Sequence, residues 1–326
     1  MSNPVLTVRG LTTVLHLPGG PVEVVRGVDF EVLPGETVAL VGESGCGKSM
    51  TMLSVMGLHP QPPAEIVAGE VRLEGRDLLT MSKGERRNVR GAQLAMVYQD
   101  PMTSLNPLMR IGQQIGEVLL AHGKTRQQAE QRTHEVLSEV GIAQPARAAR
   151  AFPHDFSGGM RQRVVIAMAL ALRPKVLIAD EPTTALDVTI QQQIITLVED
   201  LQKQMGMAVV WITHDLGVVA RVAERTMVMY GGHIVETGPT RRVFARPEHP
   251  YTAGLLAAIP PVQGSVRPPL RQIPGTPPDP SHTPTGCPFH PRCPNARPIC
   301  REQMPALTDR GGSHAACWVP PAEWVA

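Results

Sequence analysis

The sequence predicts an α/β fold built on a parallel sheet and followed by a proline-rich extension. Three observations point there. An apolar run, Thr37-Val38-Ala39-Leu40-Val41, leads into a glycine loop and then a helix-like segment, Met50 to Met56. Two further runs, Val176-Leu177-Ile178-Ala179 and Ala208-Val209-Val210-Trp211-Ile212, lack the alternation of a half-exposed strand and read as strands buried on both faces. Finally, 19 of the 32 prolines lie at or after Pro239. A chain of 326 residues holds two domains, or one large domain with an appendage.

The elements follow in order. Leu6 to Val8 and Val22 to Val25 read as short strands around a Gly19-Gly20 turn, and Val28 to Val32 alternates as a half-buried strand. Pro34-Gly35-Glu36 turns the chain toward the glycine loop. Glu70 to Leu73 and Gln93 to Tyr98 are further strands. Ile111 to Val140 is helical, with a capping box at Thr125-Arg126-Gln127-Gln128 and Gly141 at its end. An apolar helix covers Val164 to Leu172, and another runs from Val188 to Met205. Met227 to Tyr230, Gly231-Gly232 and His233 to Glu236 form a hairpin. A helix is expected from Thr252 to Ala258. Residues 260–284 form an extended arm that cannot pack a core of its own.

Composition narrows the functional classes. A formal net charge of +2 argues against a nucleic-acid or membrane partner held by bulk charge. No run of 18 apolar residues is present, so no bilayer-spanning helix is expected, and Met1-Ser2-Asn3-Pro4 lacks a signal-peptide pattern. Cytosolic residence is the expectation. The 15 methionines read as core filler.

The glycine loop carries the chemistry. Gly42-Glu43-Ser44-Gly45-Cys46-Gly47-Lys48-Ser49 follows a strand and precedes a helix, the context in which G-x-x-x-x-G-K-S binds phosphate. Its backbone N–H groups curl toward a phosphate chain, and the helix beginning near Met50 adds its positive end. Lys48 is expected on the β- and γ-phosphates and Ser49 on Mg²⁺. Gln99 ends a strand, where a polar side chain points into a ligand crevice or is a solvated loop amide. In Phe156-Ser157-Gly158-Gly159-Met160, Ser157 caps a helix. Gly158 and Gly159 leave its first N–H groups uncovered, which makes either a second anion site or an ordinary cap. Asp180 and Glu181 end a buried strand, placed for Mg²⁺ and for an attacking water respectively. His214 ends another strand, as a γ-phosphate contact or a structural histidine.

Five cysteines occur. Cys46 lies in the glycine loop, and Cys287, Cys293, Cys300 and Cys317 are spaced C-x₅-C-x₆-C-x₁₆-C. A cytosolic setting disfavours disulfides, and four thiolates suit zinc or an iron–sulfur cluster. The usual zinc C-x₂-C pair is absent, and His290 and His314 lie nearby. Free thiols are the alternative. A proline-rich segment without a core would gain from a metal staple.

Together these residues resemble the ATP-binding cassette (ABC) transporter family. Gly42 to Ser49 is similar to Walker A, Gln99 to the Q-loop, Phe156 to Met160 to the LSGGQ signature, and Val176 to Asp180 to Walker B. Glu181 stands as the catalytic glutamate, Ala185-Leu186-Asp187 as the D-loop, and His214 as the switch histidine. Tyr98 to Pro107, Asp180 to Thr189, His249-Pro250-Tyr251 and Gly286 to Cys293 resemble the D-type ATPases of bacterial dipeptide/oligopeptide importers. The resemblance implies a RecA-like core with an antiparallel β subdomain and a helical subdomain near residues 100–172. The ATPase would close near Gly238, and residues 239–326 would form the extension. It implies Mg²⁺ and ATP as cofactors, and a [4Fe-4S] cluster on the four tail cysteines ahead of zinc. Two departures stand out. The signature begins with Phe156 and ends in Met160 while keeping its backbone donors. The adenine-stacking aromatic falls near Leu15-His16, where no Tyr or Phe stands, leaving His16 or apolar contact for that role.

The resemblance further implies two subunits sandwiching ATP head to tail. This chain would give Lys48, Ser49, Gln99, Asp180, Glu181 and His214 to one site and lend Ser157 and Gly159 to the other. The implied partners are a related ATPase, two membrane permease subunits and an extracytoplasmic binding protein. The implied location is the cytoplasmic face of the inner membrane. Cargo is left open among dipeptides, longer peptides, glutathione-like compounds and nickel chelates. A soluble ATPase acting on ribosomes or DNA is the rival motor; it would carry two cassettes or a coiled-coil insert, and neither is present. A redox- or metal-regulated module resting on the tail is the third reading.

Overall fold

The protein is described from a computed structural model covering residues 3–100, 104–184, 186–259 and 272–324. Parts of three expectations, at residues 101–103 of the Q-loop segment, Ala185 of the D-loop and residues 260–271 of the arm, lie outside the described residues. The chain divides into two compact units, each built from separated segments.

The first unit comprises Met1–Leu6, Val32–Glu36 and Thr80–Ile212. Its strands Leu94–Val97, Val176–Asp180 and Ala208–Ile212 lie side by side and parallel, with Val97 opposite Ala179 and Ala179 opposite Trp211. Every residue of these strands is buried, as their unbroken apolar runs predict. The helical stretch is two helices, Ile111–Ala121 and Arg126–Glu139. The break falls at His122-Gly123, and Thr125 restarts the chain with a complete capping box: its Oγ1 accepts the Gln128 N–H at 3.2 Å and Gln128 Oε1 accepts its N–H at 3.0 Å. Ile111, Ile115 and Leu119 from one helix and Ala129, Thr133, Val136 and Leu137 from the other are buried, along the stripes the periodicity marks.

The second unit comprises Thr7–Glu31, Thr37–Leu79 and Thr213–Ala326. Strand Thr37–Val41 pairs parallel with Arg225–Tyr230, which continues through Gly231-Gly232 into the antiparallel strand His233–Pro239. The outer edge of that strand pairs with His314–Ala315, and this in turn with Thr308–Asp309. A separate four-stranded sheet has the order Gly20–Val32, Leu6–Leu17, Ala64–Leu73, Arg76–Asp77. Where three short strands are expected before Pro34, two long ones stand. The ladder runs through irregularities at Gly10 and Gly27 because side chains take over there: Asp29 Oδ1 accepts the Gly10 N–H at 2.9 Å and Thr12 Oγ1 the Gly27 N–H at 3.1 Å. Those interruptions hide the period-2 pattern.

The extension is part of this unit's core. Cys287, Phe289 and Cys300 are buried in one cluster with Ala39 and Val41 of the glycine-loop strand, Tyr230 and Tyr251. The segment therefore borrows a core, as its composition requires. Its helix runs Pro250–Ala257, two residues earlier than expected, because Pro250 suits the first turn and the His249 side chain accepts the Tyr251 N–H at 3.1 Å. Among the described residues, no helix is long and apolar enough to cross a membrane.

Candidate functional site: a phosphate-binding loop and a carboxylate strand end

In the second unit, strand Thr37–Val41 ends at Gly42 and helix Lys48–Met56 begins at the other end of the loop. The helix starts two residues earlier than its apolar pattern suggests. Gly47, at φ 107°, is the N-cap and makes the turn that a side chain would obstruct: a Cβ there would lie 2.5 Å from the Val24 carbonyl oxygen. Lys48 is thus the first helical residue and is 6% exposed. Its Nζ donates to the carbonyl oxygens of Gly42 at 2.8 Å and Glu43 at 2.9 Å, and lies 3.8 Å from Cys46 Sγ. A buried ammonium whose partners are all neutral loop groups suits an incoming anion. Ser44, Gly45 and Ser49 are exposed along the loop and Met50 is half-buried. Burial pushes the Cys46 thiol up, so it stays neutral next to Lys48.

His214, in the same unit, is exposed just beyond strand Ala208–Ile212. It precedes Asp215, whose Oδ1 accepts the N–H groups of Gly217 at 2.8 Å and Val218 at 3.2 Å. His16 pairs with Glu65 on the exposed face of the four-stranded sheet, Nε2 to Oε2 at 2.7 Å.

In the first unit, Asp180 is 5% exposed at the end of its strand. Glu181 turns out of the sheet with φ 46°, a left-handed conformation that a non-glycine residue adopts at a cost. Its N–H donates to the Ile212 carbonyl at 2.9 Å. Its Oε2 accepts from Gln99 Nε2 and from Thr184 Oγ1, both at 2.9 Å. The structure therefore joins two residues that the sequence names separately, Gln99 and Glu181. It adds Thr184, whose three-residue offset from Glu181 is the available signal. Asp187 caps helix Val188–Met205, accepting the Ile190 N–H at 2.9 Å.

Ser157, also in this unit, caps helix Gly158–Leu170, its Oγ accepting the Met160 N–H at 3.3 Å. This helix starts at Gly158 rather than Val164, because the two glycines form its first turn instead of a loop. Ser157, Gly158 and Met160 are exposed, Gly159 is buried, and Phe156 is 5% exposed.

The tail thiols lie within electrostatic reach of one another. Burial, with the neighbouring thiols, pushes Cys287 up to about 12; burial pushes Cys293 up to about 11 and also raises Cys317. Among the described residues, however, no group of three or more His, Cys, Asp or Glu side chains is arranged to hold a metal. Cys287 and Cys300 are buried in the unit's core.

The tail also reaches the glycine loop, which sequence reasoning missed. Tyr251 Oη accepts the Glu43 N–H at 2.8 Å, and Arg292 pairs with the Glu43 carboxylate. A cavity of about 20 Å³, room for one water, separates Gly45 and Cys46 from Pro277, Pro278 and Pro280.

Comparison with known proteins agrees with this geometry. The family model described as "ABC transporter" matches residues 25–184, and that described as "Oligopeptide/dipeptide transporter, C-terminal region" matches 235–300. The oligopeptide transport ATP-binding protein OppD of Bacillus subtilis is 52% identical over 95% of this chain and 87% of its own length. The dipeptide transport ATP-binding protein DppD of the same organism is 49% identical over 97% and 94%. Among solved structures, the dimeric ATP-binding cassette MJ0796 bound to ADP and Pi is 26% identical with a TM-score of 0.64, covering 72% of this chain and 99% of that one. CbiO1 from Clostridium perfringens, part of the transporter complex CbiONQ, is 26% identical with a TM-score of 0.64, covering 75% and 92%.

Proposed function

Since this chain belongs to the ABC transporter family, among its peptide-transport ATP-binding proteins, we propose that it hydrolyses ATP to drive peptide import. The observation that carries this reading is the pairing, in one chain, of a buried Lys48 folded back onto its own glycine loop with a tail matched to the oligopeptide/dipeptide region. Residues 1–238 form the ATPase and 239–326 the extension.

In this reading Lys48 and the backbone from Gly42 to Ser49 bind the triphosphate; Ser49, Asp180 and Gln99 would hold Mg²⁺, which would supply charge neutralisation. Glu181 orients and deprotonates the attacking water, and Gln99 and Thr184 aim its carboxylate. His214 contacts the γ-phosphate. Ser157, Gly158 and Gly159 present their helix start to the nucleotide of a second ATPase subunit. That subunit is a related chain. Two permease subunits on the cytoplasmic face of the inner membrane and an extracytoplasmic binding protein complete the importer. Uptake of labelled di- and oligopeptides by cells lacking this chain should fall to background and return on complementation. Undiminished peptide uptake, or recovery of the tagged chain with ribosomes or DNA instead of integral membrane proteins, would sink the proposal.

Four soft donors in one segment of the chain support an iron–sulfur cluster, or zinc, on Cys287, Cys293, Cys300 and Cys317, which the thiols would have to draw together to hold, since no three are so arranged among the described residues. With a cluster, protein purified without oxygen should absorb at about 400 nm; with zinc it should be colourless and carry the metal stoichiometrically. Colourless, metal-free protein with four reactive tail thiols would rule the centre out.

A further inference from the structure

We propose that Arg292 is a positioning residue for the phosphate-binding loop, one that holds Glu43 in place and cancels its charge. The inference rests on the ATPase reading and extends it to the tail.

Glu43 is a junction. Its carbonyl oxygen accepts from Lys48 Nζ at 2.9 Å, and its N–H donates to Tyr251 Oη at 2.8 Å. Its two carboxylate oxygens take Arg292 Nη1 at 2.6 Å and Nη2 at 3.0 Å. Each polar group of the residue is committed, the carbonyl to Lys48 and the Cys46 N–H within the loop, the N–H and carboxylate to the tail.

Arg292 is itself fixed. Its side chain is 6% exposed, its Nε donates to the Pro274 carbonyl at 2.8 Å, and Nη1 also reaches Tyr230 Oη at 3.2 Å. It ends a single 3-10 turn, His290–Arg292, whose first N–H donates to the Cys287 carbonyl at 3.0 Å. Tyr251 is fully buried, with ring centroids 4.5 Å from Tyr230 and 5.4 Å from Phe289. The grip on Glu43 is therefore made by side chains without freedom to follow the loop.

Charge supplies the second half of the argument. A carboxylate beside a triphosphate cradle repels the ligand, the more strongly as water is excluded. A bidentate guanidinium neutralises it and fixes the peptide whose carbonyl holds Lys48. Arg292 thereby sets both the field and the geometry that an incoming phosphate meets.

The test is equilibrium binding of a fluorescent Mg-ATP analogue to the full chain, with KM and kcat of the assembled ATPase read in parallel. Arg292→Ala is expected to weaken nucleotide binding about tenfold, raising KM with little change in kcat. Adding Glu43→Gln, which removes the uncovered charge, should restore most of the loss, and Arg292→Lys, charged but not bidentate, should fall between. A merely structural arginine would not be rescued at Glu43. If Arg292→Ala does not fold, Arg292→Lys carries the test: with the bidentate grip reduced to a single contact it should still weaken binding, and adding Glu43→Gln should restore most of that loss. Wild-type affinity in Arg292→Ala, or no rescue by Glu43→Gln, overturns the inference while leaving the ATPase reading intact. Failure of the wild type to bind Mg-ATP overturns both.

Discussion

Glu181→Gln is expected to lower steady-state ATP hydrolysis by roughly 10²–10³-fold while leaving Mg-ATP binding unchanged. In activation terms that is about 3–4 kcal/mol. The substitution removes a proton acceptor and little else. Glutamine has the same length, and its amide oxygen can accept from Gln99 Nε2 and Thr184 Oγ1 as the carboxylate does at 2.9 Å. The residue's backbone, strained at φ 46° and tied to the Ile212 carbonyl, makes no demand on the side chain's charge. Turnover and nucleotide affinity measured on the assembled complex decide the matter. Retention of more than a tenth of the activity would remove Glu181 from the role of base.

Gly47→Ala should be far more damaging than the same change at Gly45, two positions earlier in the loop. At φ 107° an L-residue is strained, and the added Cβ would stand 2.5 Å from a backbone oxygen, that of Val24, which cannot rotate aside. Strain and overlap together are expected to cost on the order of 2–4 kcal/mol and to abolish nucleotide binding, because Lys48 follows directly and the helix start is displaced. Gly45→Ala is the internal control. Its φ of 78° carries strain, but nothing lies within 4 Å of the new methyl, so it should cost only about 1–2 kcal/mol. Denaturant midpoints and analogue titration of the two proteins give the comparison. Equal losses would show that the approach to Val24 is not what makes Gly47 necessary.

Much of this architecture was legible in the residues. Buried parallel strands announce themselves as unbroken apolar runs, and Val176–Asp180 and Ala208–Ile212 stand where the runs do. The capping box at Thr125 is a local code and holds locally. Helix starts were less legible. Both Lys48 and Gly158 begin helices ahead of the apolar pattern, because Lys48-Ser49 opens the one and Gly158-Gly159 the other, and neither pair carries a hydrophobic signal. The long strands before Pro34 were obscured where Asp29 and Thr12 replace ladder bonds. Long-range partners were not legible at all. Arg292 and Glu43 are separated by 249 positions, and nothing in either neighbourhood names the other. Likewise, Gln99 and Glu181 each read as crevice residues, but their mutual bond is a product of the parallel pairing of Leu94–Val97 with Val176–Asp180.

The small hairpin near the carboxyl end has a bearing on how such chains can be divided. His314–Ala315 sits against the outer margin of His233–Pro239, with Ala315 opposite Glu236 and His314 opposite Thr237. Unpartnered margins of this kind invite indiscriminate stacking between molecules. The appendage is thus a selvedge woven onto the motor and not a detachable accessory, and any exchange of tails between relatives has to bring its own hem.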